Sequence, residues 1–347
     1  MAWAAIWQDG AAQDLRGPSV DRDAGEAPLP ALSLWLEITA PRPMRRPVRL
    51  WQGAAPAQRA MAVYLMPDGA VRVLHGEFLD QATPPAFLAP GQLLALRMVA
   101  CARGRADAID MRNADTGARW RLRLGIARAP RLDEALPCDA GYASSAHVAA
   151  IATHPLRSSH LPGIADGARI LTPEGQVAVE TLRPGMQVCA PDGSAHTIRW
   201  IEARDMVCLG QAAPIRLRAP YFGLGADVCV TPETRIARNG AEVEYLAGRE
   251  RVLVRAGDLV PGRAAVPDRS RPVRRFHHIL LDDPACISVW RCARETAFLS
   301  EVLAAEDARP AAARPVARDC SPSLPVLDKA AARALLGRNA RAQSFVL

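Results

Sequence analysis

Turn residues cut this chain into apolar runs of strand length, and that punctuation constrains the fold more than any other feature. In LSLWLEIT, Leu32, Leu34, Leu36 and Ile38 alternate with Ser33, Trp35, Glu37 and Thr39, the period of a strand with one buried face. In AVYLMPDGAVRVLHG two apolar runs flank Pro67-Asp68-Gly69, where proline sets the entry and Gly69 supplies a positive φ, which predicts a hairpin. QLLALRMVAC, AIDMRNADTG and WRLRLG continue the pattern to residue 125 with no helical period between them. Short strands at this spacing predict a β-sandwich over 31–125.

At 347 residues the chain has room for two domains, each with its own core. Residues 1–30 lack periodicity and are expected to form a flexible arm; 126–162 read as a linker with a helical hint at Ala146 to Ala152. A second all-β unit is expected over 163–300, then an Ala/Pro-rich tail, 301–347, with one helix at LDKAAARALLGRNARA. No apolar run approaches the roughly 18 residues of a membrane span, so no integral membrane segment is expected. The opening MAWAAIWQDG has no basic start, which predicts the cytoplasm or export without an N-terminal signal. The net charge of +7 is carried almost wholly by arginine spread along the chain, a pattern that argues against a nucleic-acid partner. The eight cysteines show no CxxC pair or framework spacing and read as buried, reduced thiols. His147, His154 and His160 stand seven and six residues apart, not the four that would place metal ligands on one helix face; no metal or cofactor is expected.

The second unit carries a series of motifs. ARILTPEGQVAVETLRPGMQV has a strand, a turn and a "VE-x-L-x-x-G" segment. PDGSAHTIRWIEAR, VCVTPETRIARNG, YLAGRERVLVRAGDLVPG, FHHILLDD and RETAFL follow in order. Together they resemble the Hint (Hedgehog/intein) family in its bacterial form: its "DG…IRWIG-x-R" hairpin, its "VSPxHRVLVRG" segment, its "VHLLFD" closing strand and, more weakly, its "TESFL". The resemblance spans about 140 of the 347 residues. It implies an all-β self-processing fold.

The resemblance also implies a reaction. Family members attack the peptide bond before their first residue with that residue's thiol or hydroxyl. A motif histidine protonates the departing nitrogen, and a motif hydroxyl with backbone N–H groups steadies the oxyanion. Here Gly163 stands at the nucleophile position, and its hydrogen side chain attacks nothing. Thr231 keeps the motif hydroxyl, Thr234 replaces the histidine, and Pro284 replaces a second histidine in the usual "FDRH". His278 is retained on the closing strand. Of possible substitutes, Cys229 stands two residues before Thr231, on the same strand face by alternation, and Glu233 adjoins Thr234. Cys229 reads more simply as core, and His196, after the PDG turn, as a solvated turn residue. Ser158 and Ser159 lie on the order of 13 Å or more along an extended chain from the family's scissile bond.

The expected function is therefore that of a Hint-domain protein with a degenerate processing site, acting in binding or architecture and not as an enzyme. One alternative is self-cleavage near Pro162-Gly163 through a non-family nucleophile such as Cys229. Another is carbohydrate, protein or surface binding by the sandwich, which is similar to the concanavalin/laminin-G kind by strand pattern alone, with Trp35, Trp51 and Tyr64 as an aromatic platform or else as packing. NADTG at Asn113 to Gly117 offers too few oxygens for calcium and reads as a turn.

Overall fold

The computed structural model describes residues 3–9, 11–12, 27–42, 45–77, 79–102, 108–123, 128–137, 146–156, 161–260, 262–305 and 322–339. Contacts divide the chain into two units: Met1–Leu156 with Leu209–Gln211, and Arg157–Cys208 with Ala212–Leu347. Both are built from antiparallel sheets, so the fold is all-β.

The first unit packs a seven-stranded sheet against a four-stranded one. The larger sheet runs, in spatial order, Arg119–Arg123, Ala108–Asn113, Leu93–Cys101, Ala31–Thr39, Val148–Ala152, Trp3–Gln8 and Ala11–Ala12. The smaller runs Val48–Gln52, Met61–Leu65, Val71–His75 and Leu79–Ala82. Leu32, Leu34, Leu36 and Ile38 meet Val63, Leu65, Val71 and Val73 in one core, as their alternation requires. The expected hairpin is present: Met66 N–H donates to Ala70 O and Gly69 takes φ 82°.

Two expectations for this unit are corrected. Residues 1–30 do not all form an arm, because Trp3–Gln8 pairs along Val148–Ala152. The stretch expected to be helical is that same strand, and it pairs on its other side with Ala31–Thr39. Helix propensity favours an alanine-rich run, but partners on both sides satisfy its whole backbone and bury all five residues. The unit thus reaches past residue 125 to Leu156. The aromatic rings do not gather. Trp51 is fully buried in the core and donates to Ala135 O, whereas Trp35 and Tyr64 alternate with core residues and lie on the outer faces of different sheets. In NADTG the Asn113 carboxamide accepts the Asp115 and Thr116 N–H groups, and Asp115 accepts from Leu93 N–H, so the loop spends its oxygens on its own unit.

The second unit has a seven-stranded sheet, Gln187–Cys189, Ala195–Val207, Val273–Leu281, Ile164–Ala165, Val228–Val230, Ile215–Leu217 and Ala265–Pro267. Its six-stranded sheet is Gly175–Ala178, Arg169–Thr172, Cys286–Val289, Cys292–Glu295, Arg235–Asn239 and Arg251–Arg255. Both contribute to one core, with Ile164, Val230, Ile236, Val254, Ile279 and Ile287 among its members. Three helices are described: Ala241–Ala247 and Leu299–Ala305, which the sequence reading lacked, and Lys329–Asn339, at the expected place. The last is no loose tail. Asp328 caps it, Ala332 and Leu335 enter the core, and Val326 forms a parallel bridge with Leu253 on the sheet edge. The six described cysteines are buried; Cys138 and Cys320 lie outside the described residues, as do His160, Ser158 and Ser159.

The hairpin between Cys286–Val289 and Cys292–Glu295 turns through Trp290 (φ 47°) and Arg291 (φ 71°), the left-handed pair that Asn-Gly normally supplies. Trp290 packs against the core, but Arg291 is exposed. Arg291→Gly is therefore expected to stabilise the unit by about 1 kcal/mol. Thermal denaturation checks this, and a lowered midpoint would mean the arginine side chain contributes more than its backbone costs.

Candidate functional site

Strand register builds the site. Ile164 pairs with Val230 on one side and with His277 on the other, so the preceding residue, Gly163, falls between Thr231 and His278. After Thr231 the chain turns through Pro232 and Glu233, and Thr234 N–H donates to Thr231 O at 3.0 Å. That turn brings both threonine hydroxyls to one junction.

The hydroxyls clasp the Pro162–Gly163 peptide. Gly163 N–H donates to Thr231 Oγ1 at 2.9 Å and to Thr234 Oγ1 at 3.2 Å. Thr231 Oγ1 in turn donates to Leu161 O at 2.8 Å, and Thr234 Oγ1 to Gly163 O at 3.1 Å. Thr231 N–H returns a bond to Gly163 O. Both hydroxyl protons are committed to backbone carbonyls, and both threonines are buried.

His278 occupies the remaining side. Its Nδ1 lies 2.9 Å from Pro162 O, and a carbonyl only accepts, so Nδ1 carries the proton. Nε2 then holds the lone pair, and it is buried without a hydrogen-bond partner. Burial, reinforced by the positive charge of Arg204, pushes the imidazole down to about 3, so it is neutral at ordinary pH. The ring also stands where a side chain at residue 163 would begin. A Cβ on Gly163 would meet His278 Cε1 at 2.8 Å, His278 Nδ1 at 3.0 Å and Thr231 Cγ2 at 3.1 Å.

The geometry gathers Gly163, Thr231, Thr234 and His278, and sends Cys229 elsewhere. The Cys229 thiol donates to Asp268 Oδ2 at 3.3 Å and packs with Ala165, Cys208 and Phe276. Burial pushes that thiol up to about 12, and the charge of Arg274 offsets only part. Asp268 itself, though burial opposes it, is held well below the carboxylate range by bonds from Ser270 and Arg216. His196 meets the Ser194 hydroxyl in its turn, and Pro284 lies in the turn after Val273–Leu281. Among the described residues no group of three or more His, Cys, Asp or Glu is placed to hold a metal. No helix there is long and apolar enough to cross a membrane.

Two motif residues acquire a structural reason. Arg235, after the threonine turn, donates to Glu295 Oε2 at 2.6 Å, to Glu301 and to Thr296 O, with its guanidinium over the Phe298 ring at 4.0 Å. RETAFL thus supplies Glu295, Thr296 and Phe298 to a single arginine. The arginines around His278, Arg204 and Arg294, had no sequence signal, because a lone arginine in a strand looks like a solvated one.

In this all-β unit one peptide bond is thus seated among a hydroxyl turn and a closing-strand histidine. The family model described as the Hint domain matches residues 162–301, and that stretch of the chain is a Hint domain. Among solved structures, the bacterial intein-like domain from Clostridium thermocellum is similar, with 16% identity, a TM-score of 0.29, and coverage of 39% of this chain and 97% of that one. No curated protein matches the chain.

Proposed function

We propose that this Hint domain does not process its own chain, and that the protein serves in binding or as architecture. One observation carries the reading: Gly163 stands at the nucleophile position, and His278 has closed over the place where a side chain would start. Three further features support it. Thr234 offers a hydroxyl where a leaving nitrogen needs an acid near neutral pH, and that hydroxyl already donates to Gly163 O. His278 polarises the Pro162 carbonyl through Nδ1, which stabilises an oxyanion but supplies no attacking atom. The Cys229 thiol, pushed up to about 12, is a poor source of thiolate for the rival cleavage reaction. The sandwich is left as the part that meets a carbohydrate or protein partner.

The intact mass of the purified protein, held for a day with and without dithiothreitol and hydroxylamine, tests this. One full-length species is expected throughout. Gly163→Cys is expected to stay intact as well, because no acid has been restored, and to lose about 1–3 kcal/mol of stability through overpacking against His278. Two fragments meeting at Pro162 and Gly163 in the unaltered protein would overturn the reading.

A further inference from the structure

The six-stranded sheet of the Hint domain carries two arginines on its inner face. Ile236 pairs with Arg294 across antiparallel strands, which sets Arg238 opposite Cys292 and makes Arg238 and Arg294 diagonal neighbours. Their positive charges both act on the Cys292 thiol between them. Arg294 is 2% exposed and Arg238 7%. Thr296 follows Arg294 by two residues in the same extended run, on the same side, and is 1% exposed.

These side chains have donors to spare. Arg294 Nε and Nη1, Arg238 Nε and Thr296 Oγ1 are buried without hydrogen-bond partners. Arg238 stacks on the Phe222 ring at 5.1 Å, and its charge neighbour is Glu242, whose Oε2 is likewise buried and unpartnered. Burial pushes the Arg294 guanidinium down to about 9, which leaves it charged at neutral pH; the side chains that act on it are the Cys292 and Cys286 thiols, themselves kept protonated by burial, and among the described residues no carboxylate does. A guanidinium has five donors and no acceptor, and a buried cation without a counter-charge is among the costliest arrangements a core can hold. The Arg294 guanidinium and the Thr296 hydroxyl thus leave unpartnered donors on one side of a single run, which an acceptor-rich group would complement.

We infer that this inner face binds one small oxyanion, a phosphate, sulfate or carboxylate, with Arg294 as the principal ligand and the Thr296 hydroxyl beside it. Charge-assisted bonds from Arg294 Nε–H and Nη1–H favour an oxyanion, which offers several acceptor oxygens at once. Arg294 and Thr296 are buried only in the folded unit, so the anion acts as a structural ligand of the Hint domain and binds the folded state alone.

The test uses the full chain, dialysed free of oxyanions and melted in chloride, acetate, sulfate or phosphate at one ionic strength. Sulfate or phosphate is expected to raise the melting midpoint saturably, by roughly 5–10 °C at a hundredfold excess over Kd. Acetate raising it equally would assign the site to carboxylates. Arg294→Met is expected to fold and to lose the shift, since an apolar chain of similar length removes the buried charge. Arg269→Gln, in an exposed loop, is expected to keep it. Native mass spectrometry of the undialysed protein reads the same site without a variant, and one retained oxyanion supports it even where dialysis fails to strip the ligand. No oxyanion retained together with no saturable shift would overturn the inference, as would an equal shift in Arg294→Met. None of these readings depends on whether the chain cleaves.

Discussion

Arg235→Ala is expected to destabilise the Hint domain by about 3–5 kcal/mol, the largest effect of any single substitution considered for this chain. Arg235 is 6% exposed and Glu295 0%, so the pair has left water almost completely. The arginine reaches Glu295 at 2.6 Å, Glu301 at 2.5 Å and 3.0 Å, and Thr296 O at 3.1 Å, and its plane covers Phe298. Glu295 is bound from its other oxygen by the N–H and hydroxyl of Ser323, which ties the C-terminal segment to the same centre. Removing the guanidinium leaves a buried carboxylate with neutral partners only. Arg235→Lys is expected to rescue little, because one ammonium cannot reach two carboxylates and a carbonyl in a plane. Arg275→Ala is the contrast: its pair with Asp205 is half exposed on the arginine side, and the expected loss is under about 1 kcal/mol. Chemical denaturation of the three variants reads the comparison, and an Arg235→Ala midpoint as high as that of Arg275→Ala would refute it.

This centre also marks how far the sequence could be read. The alternation in LSLWLEIT and the Pro67-Asp68-Gly69 turn specified their strands and hairpin locally, and the motif series specified the Hint fold. Val148–Ala152 was misread because its strand character lies in its neighbours: short alanine-rich runs become strands only when edges wait on both sides. Trp3–Gln8 failed for the same reason, being one of those edges. At the site, the vacancy at Gly163 was visible as a missing side chain, but the closure of His278 over it was not, since packing has no signature in a motif. Nor was the detour of Cys229 to Asp268, a partner 39 residues on. Alternation gave the face and could not give the hydrogen bond.

His278 gives the second large effect, in its response to acid. Free in an unfolded chain it titrates near 6.5; burial first, and then the charge of Arg204, hold it at about 3 in the fold, while its bond to Pro162 O pulls weakly the other way and His277 and Arg294 add to the depression. Between those two values the unfolded state takes up a proton that the folded state refuses. The stability owed to a neutral His278 is therefore complete above pH 6.5 and is lost progressively as pH falls toward 3, at up to about 1.4 kcal/mol per pH unit. Taking the protein from pH 6.5 to pH 5 should cost about 2 kcal/mol from this residue alone. Carboxylates held low in the fold, such as Asp268 and Glu134, lose stability with acid too, so the wild-type slope by itself does not isolate the histidine. His278→Asn does: its side-chain N–H can still reach Pro162 O, but it has no proton to refuse. Unfolding of the Hint domain followed across this range should show the wild type losing about 2 kcal/mol more than His278→Asn, with the two curves converging toward low pH. Parallel curves would mean that the imidazole opens to water or accepts a proton in place, and that the closed junction at Gly163 loosens more readily than its hydrogen bonds suggest.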